Sequence, residues 1–162
     1  MNSVFSVVKK GKKMFEIDFK FNDPFTLESG QTLDSFELRC TIYGKLNADK
    51  SNAVLVFHAL TGNSRIGDWW NGVMCDGCAL DTSKYAYICV NYLGSCYGST
   101  SASSLKKQGL KYKKNELPLV TVRDIVRSNV HLMDYLGIKK FAAVIGGSVG
   151  GMLALQFAVD YP

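Results

Sequence analysis

The chain has 162 residues, of which 47% are hydrophobic and 20% charged. That composition excludes a disordered segment and fits one globular core, since single domains of about 100–200 residues are ordinary. No apolar run approaches the ~18 residues of a membrane span, and Met1 to Lys13 puts a short apolar patch before its lysines, the reverse of a secretory signal, so a cytoplasmic location is expected. The net charge of +5 comes mainly from Lys9, Lys10, Lys12 and Lys13 and from Lys106, Lys107, Lys111, Lys113 and Lys114. No nucleic-acid motif accompanies these clusters, so they read as solvated surface. Five cysteines, an odd number, argue against a disulfide framework. Cys75-Asp76-Gly77-Cys78 is a single C-x-x-C with no second pair to complete a zinc site, and it reads as incidental thiols.

Residues 1–13 are expected to form a tail. Met14 to Phe21 alternates apolar and charged residues, the pattern of a half-buried strand, and Phe36 to Tyr43 is its expected hairpin partner. Ala53 to Phe57 is apolar throughout, as a parallel strand covered on both faces would be. Tyr85 to Val90 and Phe141 to Ile145 repeat that pattern. A short helix is expected near Trp69 and Trp70, and 93–114 reads as a long surface loop. Thr121 to Leu136 carries apolar residues at helical spacing, with a Thr121/Asp124 capping box and Gly137 as the stop. His131 lies off that apolar face and reads as a surface or satisfied side chain. No internal repeat is present.

The last buried strand runs into Gly146-Gly147-Ser148-Val149-Gly150-Gly151, and an apolar helical pattern follows at once. Strand, G-x-S-x-G and helix together form a nucleophile elbow, a sharp turn that holds a serine in a strained conformation at the top of a sheet. Ser148 is therefore the candidate nucleophile. Gly146, Gly147, Gly150 and Gly151 are expected where a Cβ would collide with neighbouring chain. An acyl transfer through Ser148 develops an oxyanion that needs fixed N–H donors. The candidates are the backbone N–H of Val149, just after the serine, and that of Leu60, in the loop His58-Ala59-Leu60-Thr61-Gly62 after the first buried strand. His58 follows a buried strand directly, which suits a structural role better than that of base.

Five runs carry a resemblance to a known family. They are 25–30 (Phe-Thr-Leu-Glu-Ser-Gly), 58–62 (His-Ala-Leu-Thr-Gly), 91–100 (Asn-Tyr-Leu-Gly-Ser-Cys-Tyr-Gly-Ser-Thr), 121–124 (Thr-Val-Arg-Asp) and 143–152 (Ala-Val-Ile-Gly-Gly-Ser-Val-Gly-Gly-Met). The sequence resembles the N-terminal half of homoserine O-acetyltransferase, an α/β-hydrolase-fold enzyme of methionine biosynthesis. The resemblance implies an acetyl group passed from acetyl-CoA to Ser148 and then to the hydroxyl of L-homoserine, with no bound cofactor and no metal. Relatives use succinyl-CoA or accept serine, so donor and acceptor stay open. It also implies a homodimer formed through a lid, which 14–162 would lack.

The chain departs from the family pattern. After Ser148 it contains Asp160 and no histidine, so the family's catalytic Asp and His have no counterpart. Asp160 reads as a surface residue. Ser101-Ala102 stands where the family has Gly-Pro, and 105–109 is expected to be more mobile than the family's loop. The expectation is an α/β-hydrolase fold truncated after the elbow strand and helix, inactive alone, with an open apolar edge and poor solubility. The rival readings are a serine ester hydrolase on the same elbow, and a non-catalytic chain, either a degenerate gene product or a fragment that depends on a partner chain.

Overall fold

A computed structural model describes residues 4–9, 12–107 and 118–162, with side chains for 14–104 and 118–162. Among these described residues ten strands and four helices follow in chain order: β1 (Val4–Lys9), β2 (Lys12–Phe21), β3 (Phe25–Thr26), β4 (Thr32–Leu33), β5 (Phe36–Tyr43), β6 (Ala53–Phe57), α1 (Ile66–Trp69), β7 (Met74–Cys75), β8 (Leu80–Asp81), β9 (Ala86–Val90), α2 (Ala102–Lys107), α3 (Val122–Leu136), β10 (Ala143–Gly146) and α4 (Val149–Asp160). Six strands form one mixed sheet in the order β1-β2-β5-β9-β6-β10. The first three pair antiparallel, β5 joins β9 antiparallel, and β9, β6 and β10 run parallel.

The two parallel strands β6 and β9 are buried on both faces, as their unbroken apolar runs predict. Leu55, Phe57, Ile88 and Val90 enter the core shared with Val126, Leu132 and Leu153 of the helices. Their neighbours Val54, Val56, Tyr87 and Cys89 face a second core with Ile66 and Met74. Period-two alternation thus divides each strand between two layers.

β2 and β5 pair as expected, with Phe21 opposite Phe36, but the β3–β4 ribbon lies in the connection between them. Residues 4–9 correct the expected tail. Their Val-Phe-Ser-Val-Val-Lys pattern has strand propensity, and they pair along β2 with Val4 opposite Ile17.

The expected loop 93–114 is also corrected in part. Leu93, Ser99, Thr100 and Ser101 are buried, and 102–107 is helical. Ser101 and Ser104 supply the cap: Ser101 N–H donates to Ser104 Oγ at 2.7 Å, and Ser104 N–H to Ser101 Oγ at 3.4 Å. Residues 108–117, with Lys111, Lys113 and Lys114, lie outside the described residues, and so does Lys10.

α3 has the predicted capping box and a left-handed C-cap at Gly137, φ 68°. Asp124 does more than cap. It is fully buried and accepts from the Glu28 N–H (3.0 Å), the Thr121 N–H (3.1 Å) and Arg127 Nη1 (3.2 Å). One carboxylate therefore fixes the 25–30 turn to the start of α3. His131 is half-buried rather than on the surface, with its ring 4.1 Å from that of Phe21. Asp160 is likewise engaged. Arg123 Nε and Nη2 each reach it at 3.0 Å, tying α3 to the end of α4.

Within the six-stranded sheet β10 is an edge strand and pairs only with β6. The outward side of α4 exposes Met152 (62%), Leu155 (72%) and Val159 (72%), while Leu153 and Phe157 are buried. The open apolar edge read from the sequence is present among the described residues.

Candidate functional site

Three parallel strands deliver the candidate residues to one end of the sheet. The carboxyl end of β6 leads to His58–Gly62, that of β9 to Asn91 and Tyr92, and that of β10 to Ser148. Sites in open α/β sheets lie at such strand ends.

Ser148 sits between β10 and α4 at φ 58°, ψ −128°. It is one of two non-glycine residues with positive φ among the described residues, the other being Lys50. A side chain held there carries strain of about 1–3 kcal/mol. The side chain is exposed, and among the described residues its Oγ makes no hydrogen bond.

The elbow glycines divide into two kinds. A Cβ on Gly146 would stand 2.2 Å from Gly150 O, and one on Gly150 would stand 2.2 Å from Phe57 O and 2.7 Å from His58 O. These two positions must be glycine for α4 to start against β6. Gly147 has nothing within 4 Å of its would-be Cβ, and Gly151 has only an ordinary contact at 3.6 Å. The expectation that all four avoid a collision is corrected. Positive φ falls on the serine and on none of the four glycines.

Leu60 is 75% exposed and lines a cavity of about 640 Å³ with Thr61, Gly62, Tyr92, Leu93, Ser95, Thr100 and Ile125. The lining is mostly apolar. Ser148 and Val149 stand at the adjacent strand end and do not line it. Gly62 N–H donates to Ala59 O at 2.8 Å and so closes the Leu60 turn.

His58 is buried. Its Nδ1 lies 2.7 Å from Ala59 O, and its ring stacks on Tyr92 at 3.9 Å and 17°. Burial lowers its pKa, so the ring is neutral near pH 7. His58 is held in the way a structural role requires, and among the described residues neither histidine is hydrogen-bonded to Ser148. Sequence reasoning missed Tyr92 and Asn91. Asn91 is buried; it accepts from Ser64 N–H and donates to Tyr97 O, both at 2.6 Å, joining the loops after β6 and β9. A polar residue directly after an all-apolar strand was the available signal.

Cys75 and Cys78 correct the reading as incidental thiols. They are joined as a disulfide, with Cα atoms 5.1 Å apart. Gly77, at φ +77°, allows the turn that brings them within bridging range. Among the described residues no group of three His, Cys, Asp or Glu side chains could hold a metal ion, and no helix is long and apolar enough to cross a membrane.

The family model for the alpha/beta hydrolase fold matches residues 52–162. The chain belongs to the α/β-hydrolase fold family. The chain is 47% identical over 153 residues to a homoserine O-succinyltransferase of Nitrosospira multiformis, covering 88% of this chain and 41% of that one. It is 44% identical over 153 residues to a homoserine O-acetyltransferase of Methanobrevibacter ruminantium, covering 89% and 31%. The resemblance read from the motifs is thus met by similarity to homoserine O-acyltransferases of both kinds. Among solved structures, esterase E22 superposes with TM-score 0.82 at 29% identity, covering 92% of this chain and 45% of that one. A homoserine O-acetyltransferase from Bacillus anthracis gives 0.75 at 29%, covering 92% and 44%. This α/β-hydrolase chain therefore spans less than half the length of the relatives it matches.

Proposed function

We propose that this chain supplies the nucleophile and oxyanion loop of a homoserine O-acyltransferase, acting in the cytoplasm. The observation that carries the reading is Ser148 at φ 58°, ψ −128° between β10 and α4, in a chain 47% identical to a homoserine O-succinyltransferase. Ser148 Oγ attacks the thioester carbonyl of an acyl-CoA. The resulting oxyanion takes hydrogen bonds from the N–H groups of Val149 and Leu60, a type of contact worth roughly 3–4 kcal/mol of barrier per donor. The carbon–sulfur bond then breaks and CoA leaves with a proton. The hydroxyl of L-homoserine attacks the acyl-serine in turn, losing its proton and restoring Ser148. The relatives' names include both succinyl- and acetyltransferases, so the donor is acetyl-CoA or succinyl-CoA. The base for these proton transfers is neither His58, which is committed to Ala59 O, nor His131, which packs on Phe21. On this reading residues 1–162 alone do not turn over.

A chimera tests the proposal by joining residues 1–162 to the remaining length of the Nitrosospira multiformis relative. CoA release that depends on homoserine and disappears in Ser148→Ala supports it. The likeness to esterase E22 favours a second reading, ester hydrolysis on the same elbow. Fast hydrolysis of simple esters by the chimera, with no transfer from acyl-CoA to homoserine, would establish that reading instead.

A further inference from the structure

We infer that His58 is a positioning residue that aims the Leu60 N–H at the oxyanion, by clamping the other end of the same peptide group. The inference rests on reading Ser148 as the acyl acceptor. Ala59 C=O and Leu60 N–H belong to one peptide plane. The chain has no cis peptide bond among its described residues, so these two groups point in opposite directions. Whatever fixes the carbonyl therefore fixes the direction of the N–H.

Two donors converge on Ala59 O. Gly62 N–H reaches it from 2.8 Å and His58 Nδ1 from 2.7 Å. A carbonyl oxygen only accepts, so Nδ1 carries the imidazole proton and Nε2 carries the lone pair. Nε2 is buried without a partner among the described residues. An unpaired lone pair there is tolerable, but a second N–H would be an orphaned donor. Burial and the 3.9 Å stack on Tyr92 thus leave the ring one tautomer and one orientation. Gly62 is fixed in the same way: a Cβ would lie 2.6 Å from the Trp69 ring and 3.0 Å from Ala59 O. Leu60 needs this help because its own side chain is 75% exposed and gives the turn no anchor.

The titratable groups facing His58 are few. Tyr92 stacks on it from the loop after β9, and the Cys89 thiol of β9 lies beside the His58 backbone N–H. Neither carries charge near neutral pH, since burial raises both pKa values.

The test uses residues 1–162 as they stand. The first readout is the 15N spectrum of the His58 ring, which needs no variant. It is expected to show a protonated Nδ1 and a bare Nε2; the opposite tautomer overturns the clamp. The second readout is amide exchange at Gly62 together with Ser148 acetylation by p-nitrophenyl acetate at high pH. His58→Phe keeps a ring on Tyr92 and removes the donor. It is expected to speed Gly62 exchange and slow Ser148 acetylation, each by about 10-fold, the value of one neutral hydrogen bond. His58→Asn places an amide N–H where Nδ1 stood and is expected to restore most of both. His58→Gln, whose amide falls where Nε2 stood, is expected to restore neither. Unchanged Gly62 exchange in folded His58→Phe overturns the inference, and so does faster exchange with unchanged acetylation. If the parent chain shows no Ser148 acetylation at all, the reading of Ser148 falls, while ring tautomer and exchange still decide the clamp.

Discussion

Gly150 lies against Phe57 so closely that a Cβ on the glycine would stand 2.2 Å from the Phe57 carbonyl oxygen. The first turn of α4 is thereby pressed onto the carboxyl end of β6, and Ser148 is held beside the loop that carries Leu60. A Cβ on Gly146 would stand at the same 2.2 Å from Gly150 O. Gly146→Ala and Gly150→Ala are expected to destabilise the fold by several kcal/mol, because backbone must move. Gly147→Ala and Gly151→Ala are expected to lie within about 1 kcal/mol of the parent. Urea midpoints of the four variants check this.

Asp124 gives a second test. It is buried and receives hydrogen bonds from Glu28 N–H, Thr121 N–H and Arg127. Asp124→Ala removes a capping box and leaves buried donors unpaired, which costs about 2–4 kcal/mol. Asp124→Asn keeps an acceptor and is expected to cost less. Equal urea midpoints for parent and Asp124→Ala would mean the 25–30 turn is not held by this carboxylate.

Thiol counting addresses the cysteines. Cys75 and Cys78 are bridged, Cys40 and Cys89 are buried, and Cys96 is exposed. A thiol reagent is expected to find one fast-reacting group in the native chain, Cys96. It is expected to find three after denaturation without reductant and five after reduction. Burial also raises the Cys40 and Cys89 thiol pKa values, which further slows those two. Three fast thiols in the native chain would contradict the bridge.

Stability should fall on mild acidification. Burial lowers the pKa of both His58 and His131 below the ordinary value of 6.5. The unfolded chain therefore binds protons first as pH drops through about 6.5, and the stability present at higher pH is lost toward the lower folded pKa values. The urea midpoint is expected to be lower at pH 5.5 than at pH 7.5, a window above the carboxylates' ordinary range. His131→Leu should shrink the difference. A midpoint that rises on acidification would contradict the burial of these rings.

Much of the fold was legible in the sequence because β6, β9 and α3 obey single periodicities. The all-apolar runs of β6 and β9 are covered parallel strands, whereas Phe141 to Ile145, expected to be buried in the same way, is half-buried or exposed because β10 stands at the sheet edge; Thr121 with Asp124 marks a helix start by its chemistry. The elbow was legible for the same reason. What the sequence hid depends on tertiary partners. Residues 4–9 join the sheet through β2, and nothing local distinguishes them from a tail. Ser99 to Ser101 look like loop, yet they are buried because Ser99 Oγ donates to Asn91 O at 2.7 Å and Thr100 N–H to Glu37 O at 2.8 Å. Which elbow glycines are obligatory was equally hidden, since the Gly150 collision involves Phe57 and His58, some ninety positions away in the chain, and the Gly146 collision depends on where the folded turn puts the Gly150 backbone.

On the proposed reading Ser148 is placed as an acyl acceptor, and neither His58 nor His131 activates it. Peptide mapping of Ser148 acetylation by p-nitrophenyl acetate, followed as a function of pH, tests both halves together. The expected result is an adduct on Ser148 that is absent in Ser148→Ala, formed at a rate that rises steadily with hydroxide and shows no plateau near neutrality. No Ser148 adduct at any pH, or a rate that levels off near neutrality and loses that step in His58→Asn or His131→Leu, would contradict it.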